Sequence, residues 1–238
     1  MTHNAAGPLR VLVTRPEPAA SRTARHLCEL GFDAVAAPLT EVRPLSPRMA
    51  LDSGHRALAT SANAFLGDPP PFFPFEKIRD FICVGEKTAR AGVDWGLPDP
   101  SIVAPDAATL IERTREAGLH LSRWPIAYFA GSQRMPFLER AMDADGTHYR
   151  VFETYEAPAL EKPFDNLDQS CVDVVLLMSP RAGNLFGQGW SRQHRPKLLC
   201  MSEAVRESLP VELQPHAAIS DEPNFQSLLE ALVALADQ

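Results

Sequence analysis

Six short apolar runs, each ending in a small or polar residue and followed by helical pattern, constrain this chain more than any other feature. They are VLVTRP (11–16), ALATSANAF (57–65), ICVGEKT (82–88), IAYFAGSQR (126–134), VVLLMSPRA (174–182) and LLCMSEAVR (198–206). Continuous apolar runs of this length read as strands buried on both faces. Repeated strand–turn–helix units read as mostly parallel sheets flanked by helices, the α/β class. After the first run Ala20, Ala24, Leu27, Cys28 and Leu30 recur at helical spacing, and Gly31 suits the position just past a helix end. NFQSLLEALVAL (224–235) is a second clear amphipathic helix.

The units echo one another. TSANAFLG is matched by SPRAGNLFG, aligning Ser61 with Ser179; VGEKTAR is matched by MSEAVRE, aligning Glu86 with Glu203; VAPDAATLIE is matched by AISDEPNFQSLLE, aligning Asp106 with Asp221. The spacings hold: 25 positions from Ser61 to Glu86 against 24 from Ser179 to Glu203, then 20 against 18 to the aspartates. The first run and the extended segment after it pair with IAYFAGSQR and its own extended segment. Two diverged copies of one α/β unit account for this pattern; the alternative is the general likeness of short βα junctions.

The extended segments DAVAAPLTEVRPL (33–45) and HYRVFETYEAPAL (148–160) alternate in polarity and carry prolines near their ends. That suits exposed crossing strands better than sheet cores. Two such crossings would make a two-stranded β-ladder hinge between two lobes, with a cleft lined by strand ends. Gly85-Glu86-Lys87-Thr88 looks like part of a phosphate loop. One of the two required glycines is missing, however, and the residues before Gly85 read FICV. The turn is read instead as one of several rims that offer helix N-terminal N–H groups and hydroxyls to a large anion.

A length of 238 residues suits one large domain or two ordinary ones, and a net charge of −7 argues against a nucleic-acid or anionic-membrane partner. No apolar run approaches membrane-spanning length, and the N-terminus has no signal-like apolar core. Cys28, Cys83, Cys171 and Cys200 form no C-x-x-C pair, so buried free thiols in a reducing cytoplasm are expected over disulfides. The histidines lack ligand spacing, and no metal site is expected.

Taken in order, VLVTRPEP, TSANA, VGEKTA, YFAGSQR, FETYEAP, LLMSPRA and SDEPNFQSLLEAL resemble the uroporphyrinogen-III synthase family over nearly the whole chain. The resemblance implies a first lobe combining residues 1–38 with 160–238, a second lobe over 44–153, and linker strands at 39–43 and 154–159. It implies a lyase without cofactors, a monomer of the cytoplasm, that closes hydroxymethylbilane to uroporphyrinogen III with inversion of the final ring. Such a reaction needs an acid for the departing hydroxyl, a site that holds the two chain ends together, and cations for eight carboxylates.

Tyr155, in FETYEAP, matches the tyrosine the family is proposed to use as the proton donor. A free tyrosine, near pKa ~10, is a weak acid but donates readily to a developing hydroxide. Its plainer alternative is an amphipathic residue on an exposed strand. Thr88 matches the family's cleft-facing threonine and Ser61 the hydroxyl of the TS turn, with helix or turn capping as the plainer role of each. Arg15, Lys87, Arg134 and Arg181 follow strand ends and suit substrate carboxylates, unless they are solvated surface charges. Ser132, Ser179 and Ser202 lie at the same junctions and complete the substrate-binding candidates.

The chain departs from the family at Ser202 and Val205, where a glycine and a threonine are usual, and in the proline-rich GDPPPFFPFEKIRD (67–80) and the shortened NLFGQGWSRQHRP. These departures keep open a non-catalytic relative that binds a tetrapyrrole or a partner protein. A third class, a two-lobed small-molecule sensor, would bring a signal peptide or a DNA-binding segment, and neither is visible.

Overall fold

Apolar sequence turns into parallel strand at all six runs of the computed structural model, which describes residues 7–236 apart from 53, 120–123 and 192. In chain order the elements begin with β1 (Arg10–Val13), α1 (Ala19–Glu29), β2 (Asp33–Ala36), β3 (Arg43–Pro44), β4 (His55–Ala59) and β5 (Ile78–Val84). Next come α2 (Glu86–Trp95), β6 (Ile102–Ala104), α3 (Ala107–Glu116), β7 (Ile126–Gly131), α4 (Phe137–Ala144) and β8 (Tyr149–Glu156). The last are β9 (Val174–Leu177), α5 (Pro180–Gly189), β10 (Lys197–Cys200), α6 (Glu203–Glu207), β11 (Ala217–Ile219) and α7 (Phe225–Ala236). No helix among the described residues is long and apolar enough to cross a membrane.

The chain divides into two units, Met1–Glu41 with Pro158–Gln238, and Val42–Ala157. The first holds a five-stranded, all-parallel sheet in the order β11-β10-β9-β1-β2. The second holds a six-stranded sheet, β3-β8-β7-β4-β5-β6, parallel except for β3 against β8. The sequence echoes map β4, β5, β6, β7 and β8 onto β9, β10, β11, β1 and β2. Under that mapping the two sheets have the same spatial order, although the copies begin at different strands. In each, successive connections run both ways from a central strand pair, β9/β1 in the first unit and β4/β7 in the second. Ligands of open α/β sheets bind beyond the strand C-termini at such a switch point.

Helices on both faces explain the unbroken apolar runs. β4, β7 and β9 are buried at every position and β1 at all but its first. One face of the second sheet carries an aromatic cluster in which Trp95 meets Phe73 at 5.1 Å, Phe65 at 5.5 Å and Phe129 at 5.7 Å between ring centroids. The proline-rich segment supplies Phe73 and Phe75 to this cluster, and Trp95 Nε1 donates to the Gly67 carbonyl at 2.7 Å. Phe72 turns the other way, fully exposed with φ +64°.

Three expectations need correction. The run 57–65 ends in a 3-10 turn, Ala62–Phe65, and no long helix follows it, because the prolines from 69 onward cannot continue one. The segments 33–45 and 148–160 are not free crossing strands along their length. β2 pairs with β1, and β8 pairs with β7 while burying Phe152 against Phe129; the antiparallel ladder is confined to Arg43↔Glu156, Pro44↔Tyr155 and Thr40↔Ala159. Cys83 and Cys200 are buried free thiols, but Cys28 and Cys171 are exposed.

Candidate active site

The switch point of the first unit is a cavity of about 260 Å³. Thr14 and Arg15 enter it from the end of β1, Ser179 and Arg181 from the start of α5, and Thr40 from the turn after β2. Ser179 caps α5: its Oγ accepts from the Ala182 N–H at 3.2 Å, with Pro180 in the first helical turn. That geometry turns the helix N-terminus, with its partial positive charge, toward the strand ends. Thr14 is buried and spends its hydroxyl on the Leu176 carbonyl, 2.8 Å away, tying β1 to β9.

Arg15 is half-buried, and among the described residues its side chain meets Thr23 (3.4 Å) and Arg22 rather than a carboxylate. Burial, then repulsion from Arg22, pushes its pKa below the usual arginine value. A desolvated cation beside another cation gains most from an incoming anion. The structure thus brings Arg15, Ser179 and Arg181 together. Ser202, at the start of α6, follows the lining residue Met201 and makes no side-chain cap hydrogen bond.

In the second unit the candidates gather at the ends of β4, β7 and β8. Ser61 Oγ accepts from the Asn63 N–H at 3.2 Å and caps the 3-10 turn. Tyr155 lies opposite Gly131 in the β7–β8 register, and its carbonyl accepts from the Ser132 N–H at 2.9 Å. The phenol ring packs over Gly131 and against the aromatic cluster. Ser132 Oγ and Thr154 Oγ1 are buried with no hydrogen-bond partner among the described residues.

Arg134 differs from its expected role. Its Nε meets Glu139 at 2.6 Å, and its Nη1 meets Glu153 and the Gly131 carbonyl, each at 2.9 Å. Burial alone would lower its pKa, but the two glutamates raise it. Its Nε and Nη1 donors are thus engaged, which makes it a clamp on the strand end. Thr88 is also placed differently. It is 4% exposed and lies on the packed face of α2 with Ala89, Gly92 and Trp95, while Lys87 is exposed beside it. Val205, its partner in the sequence echo, is likewise buried at the start of α6. The valine therefore fills core at a position where a threonine would also point inward.

Sequence reasoning passed over Tyr128, Glu139 and Glu153. Tyr128 is buried and hydrogen-bonded to the Thr60 side chain; burial is the main reason its pKa is raised. Tyr128 sits mid-run and Glu139 within a helix, so neither carried a signal. Among the described residues no cluster of His, Cys, Asp and Glu could hold a metal ion.

The sequence profile described as "Uroporphyrinogen-III synthase HemD" matches residues 21–230. No curated protein sequence matches. Among solved structures, the fold is similar to the uroporphyrinogen-III synthetase of Helicobacter pylori, 13% identical, with a TM-score of 0.64 over 95% of this chain and 99% of that one. It is also similar to a mutant uroporphyrinogen III synthase of Thermus thermophilus, 17% identical, with a TM-score of 0.58 over 97% of this chain and all of that one. At these identities the structures speak for the fold, and the profile, spanning both units and every candidate residue except Arg15, speaks for descent: the chain belongs to the uroporphyrinogen-III synthase family.

Proposed function

We propose that this chain closes hydroxymethylbilane, a linear tetrapyrrole with eight carboxylates, to uroporphyrinogen III. The observation that carries the reading is the family match over residues 21–230, which takes in all of the second sheet and every strand of the first but β1. The reaction is redox-neutral. Protonation of the terminal hydroxyl releases water and leaves an azafulvene-like electrophile. The far pyrrole attacks through its substituted carbon to give a spiro intermediate. That intermediate breaks and recloses through the free carbon of the same ring, which then loses its proton.

Two kinds of protein group suffice for such a path. Cations at strand ends hold the acid side chains so that the chain termini meet, and a donor assists the departing hydroxide. In our reading the first kind is formed in the first unit by Arg15 and Arg181 with the α5 N-terminus, Ser179 and Ser202, and in the second unit by Ser61 and the exposed Lys87. Tyr155 is the donor. Its place near the end of β8, over Gly131, supports this role. Thr88, being buried, acts in this reading by packing the first turn of α2. The free cysteines, two of them buried, support a reading of the protein as one of the cytoplasm.

The test is to supply the purified protein with hydroxymethylbilane generated in place, oxidise the product and separate the porphyrin isomers. Predominantly isomer III, formed faster than spontaneous closure, is expected. Isomer I alone, at the protein-free rate, would sink the proposal.

A further inference from the structure

We infer that Gly131 is a positioning residue for Tyr155: the absent side chain at 131 is the seat of the phenol ring. The inference deepens the proposed role of Tyr155 and rests on it. A Cβ at 131 would lie 2.7 Å from Tyr155 Cζ, 2.9 Å from Cε2 and 3.0 Å from the hydroxyl oxygen. Contacts under 3.0 Å do not occur between real Cβ atoms and their neighbours, so either the ring or the strand must move.

The backbone does not otherwise call for glycine, because Gly131 is not among the residues with positive φ. The demand is for space. Nor can the strand retreat easily. The Gly131 carbonyl accepts from Arg134 Nη1 at 2.9 Å, and that guanidinium is itself held by Glu139 and Glu153. One residue on, the Ser132 N–H donates to the Tyr155 carbonyl at 2.9 Å, which ties β7 to β8 just after the register shift between Ala130 and Gly131. The side chain also packs against the apolar cluster that holds the aromatic rings of this unit. Arg134 thus fixes the floor, Gly131 leaves the floor bare, and the hydroxyl is held where the two strands end. With a methyl group at 131, the ring is the part that gives way.

The experiment uses the full chain with ¹³C-labelled tyrosine. The sequence has three tyrosines, so Tyr155→Phe assigns the relevant ring signal directly. In Gly131→Ala the Tyr155 signal should shift while those of Tyr128 and Tyr149 stay. The kcat should fall about 10²-fold, the effect of a misplaced group, with KM within about twofold. In a Tyr155→Phe background, Gly131→Ala should cause no further loss of kcat. An unmoved Tyr155 signal overturns the inference, as does an unchanged kcat or an equal loss in the Tyr155→Phe background. If Gly131→Ala does not fold, Gly131→Ala/Tyr155→Ala should fold and melt no lower than Tyr155→Ala. A double variant that also fails shows that the backbone, not the ring, needs glycine, and overturns the inference. Full activity of Tyr155→Phe would remove the donor role alone, and the ring signal would still decide whether Gly131 seats the side chain.

Discussion

Arg15 and Arg134 both follow a strand end within three residues, yet their surroundings divide them. Arg15 is partly desolvated with Arg22 nearby, whereas Arg134 is neutralised by two carboxylates. Arg15→Ala and Arg181→Ala should therefore raise KM for the bilane several-fold more than they lower kcat, as expected when binding common to substrate and transition state is removed. An unchanged KM in both variants removes them from the binding set. Arg134→Ala acts differently in this view, because it frees Glu139 and Glu153 and loosens the strand end. At the same scale, Tyr155→Phe should lower turnover by roughly 10²–10⁴, the usual effect of a lost proton donor, and shift product toward the uninverted isomer. Thr88→Val, which leaves the packed face of α2 apolar as Val205 leaves that of α6, should change the isomer ratio far less. Rates and ratios measured for the two variants side by side decide between them.

At the scale of elements, close approach and burial set the vulnerable points. A Cβ at Gly187 on α5 would meet the Pro210 ring, and one at Gly183, a turn earlier, would meet Ser208 and the Val205 carbonyl. The two glycines let α5 pack closely on α6 and the turn after it. Gly187→Ala should cost about 1–3 kcal/mol, the usual range for overpacking, measured by denaturant unfolding; no loss would mean that the helix shifts freely. The buried thiols offer a pH test. Burial pushes Cys83 up to about 11 and Cys200 up to about 12, from an ordinary 9.0. A raised folded pKa means that the protonated thiol is favoured in the fold. Its contribution is complete below pH 9.0 and is lost as pH rises toward about 12. Cys200→Ala, though less stable at neutral pH, should lose stability less steeply than the natural chain between pH 9.0 and 12. Parallel declines would contradict this.

On the scale of the whole molecule, the proposed function asks an acidic chain of net charge −7 to hold an octa-anion, so attraction has to be local. The KM should rise steadily with ionic strength as the Arg15 and Arg181 region is screened, while kcat changes little. A KM independent of salt would place the binding energy in apolar and hydrogen-bonded contacts.

The sequence alone determined the α/β class, the six buried strands and the chemical character of their ends. Those features are local: a strand covered on both faces has to be apolar along its length, and the turn after it is read from the next few residues. The family could be recognised for the same reason, since its short motifs sit at those turns. Tertiary structure decided the rest. The segment 148–160 looked exposed because it alternates and carries proline, yet β8 lies between β7 and β3 and stacks Phe152 on Phe129. Thr88 looked available because it follows a glycine turn, yet the phase of α2 points it inward. Arg134 looked free because its carboxylates, at 139 and 153, come from the next helix and the next strand. A cation's partner, a hydroxyl's direction and a ring's seat depend on groups distant in the chain but only a few ångströms apart in space, and only folding brings those groups together.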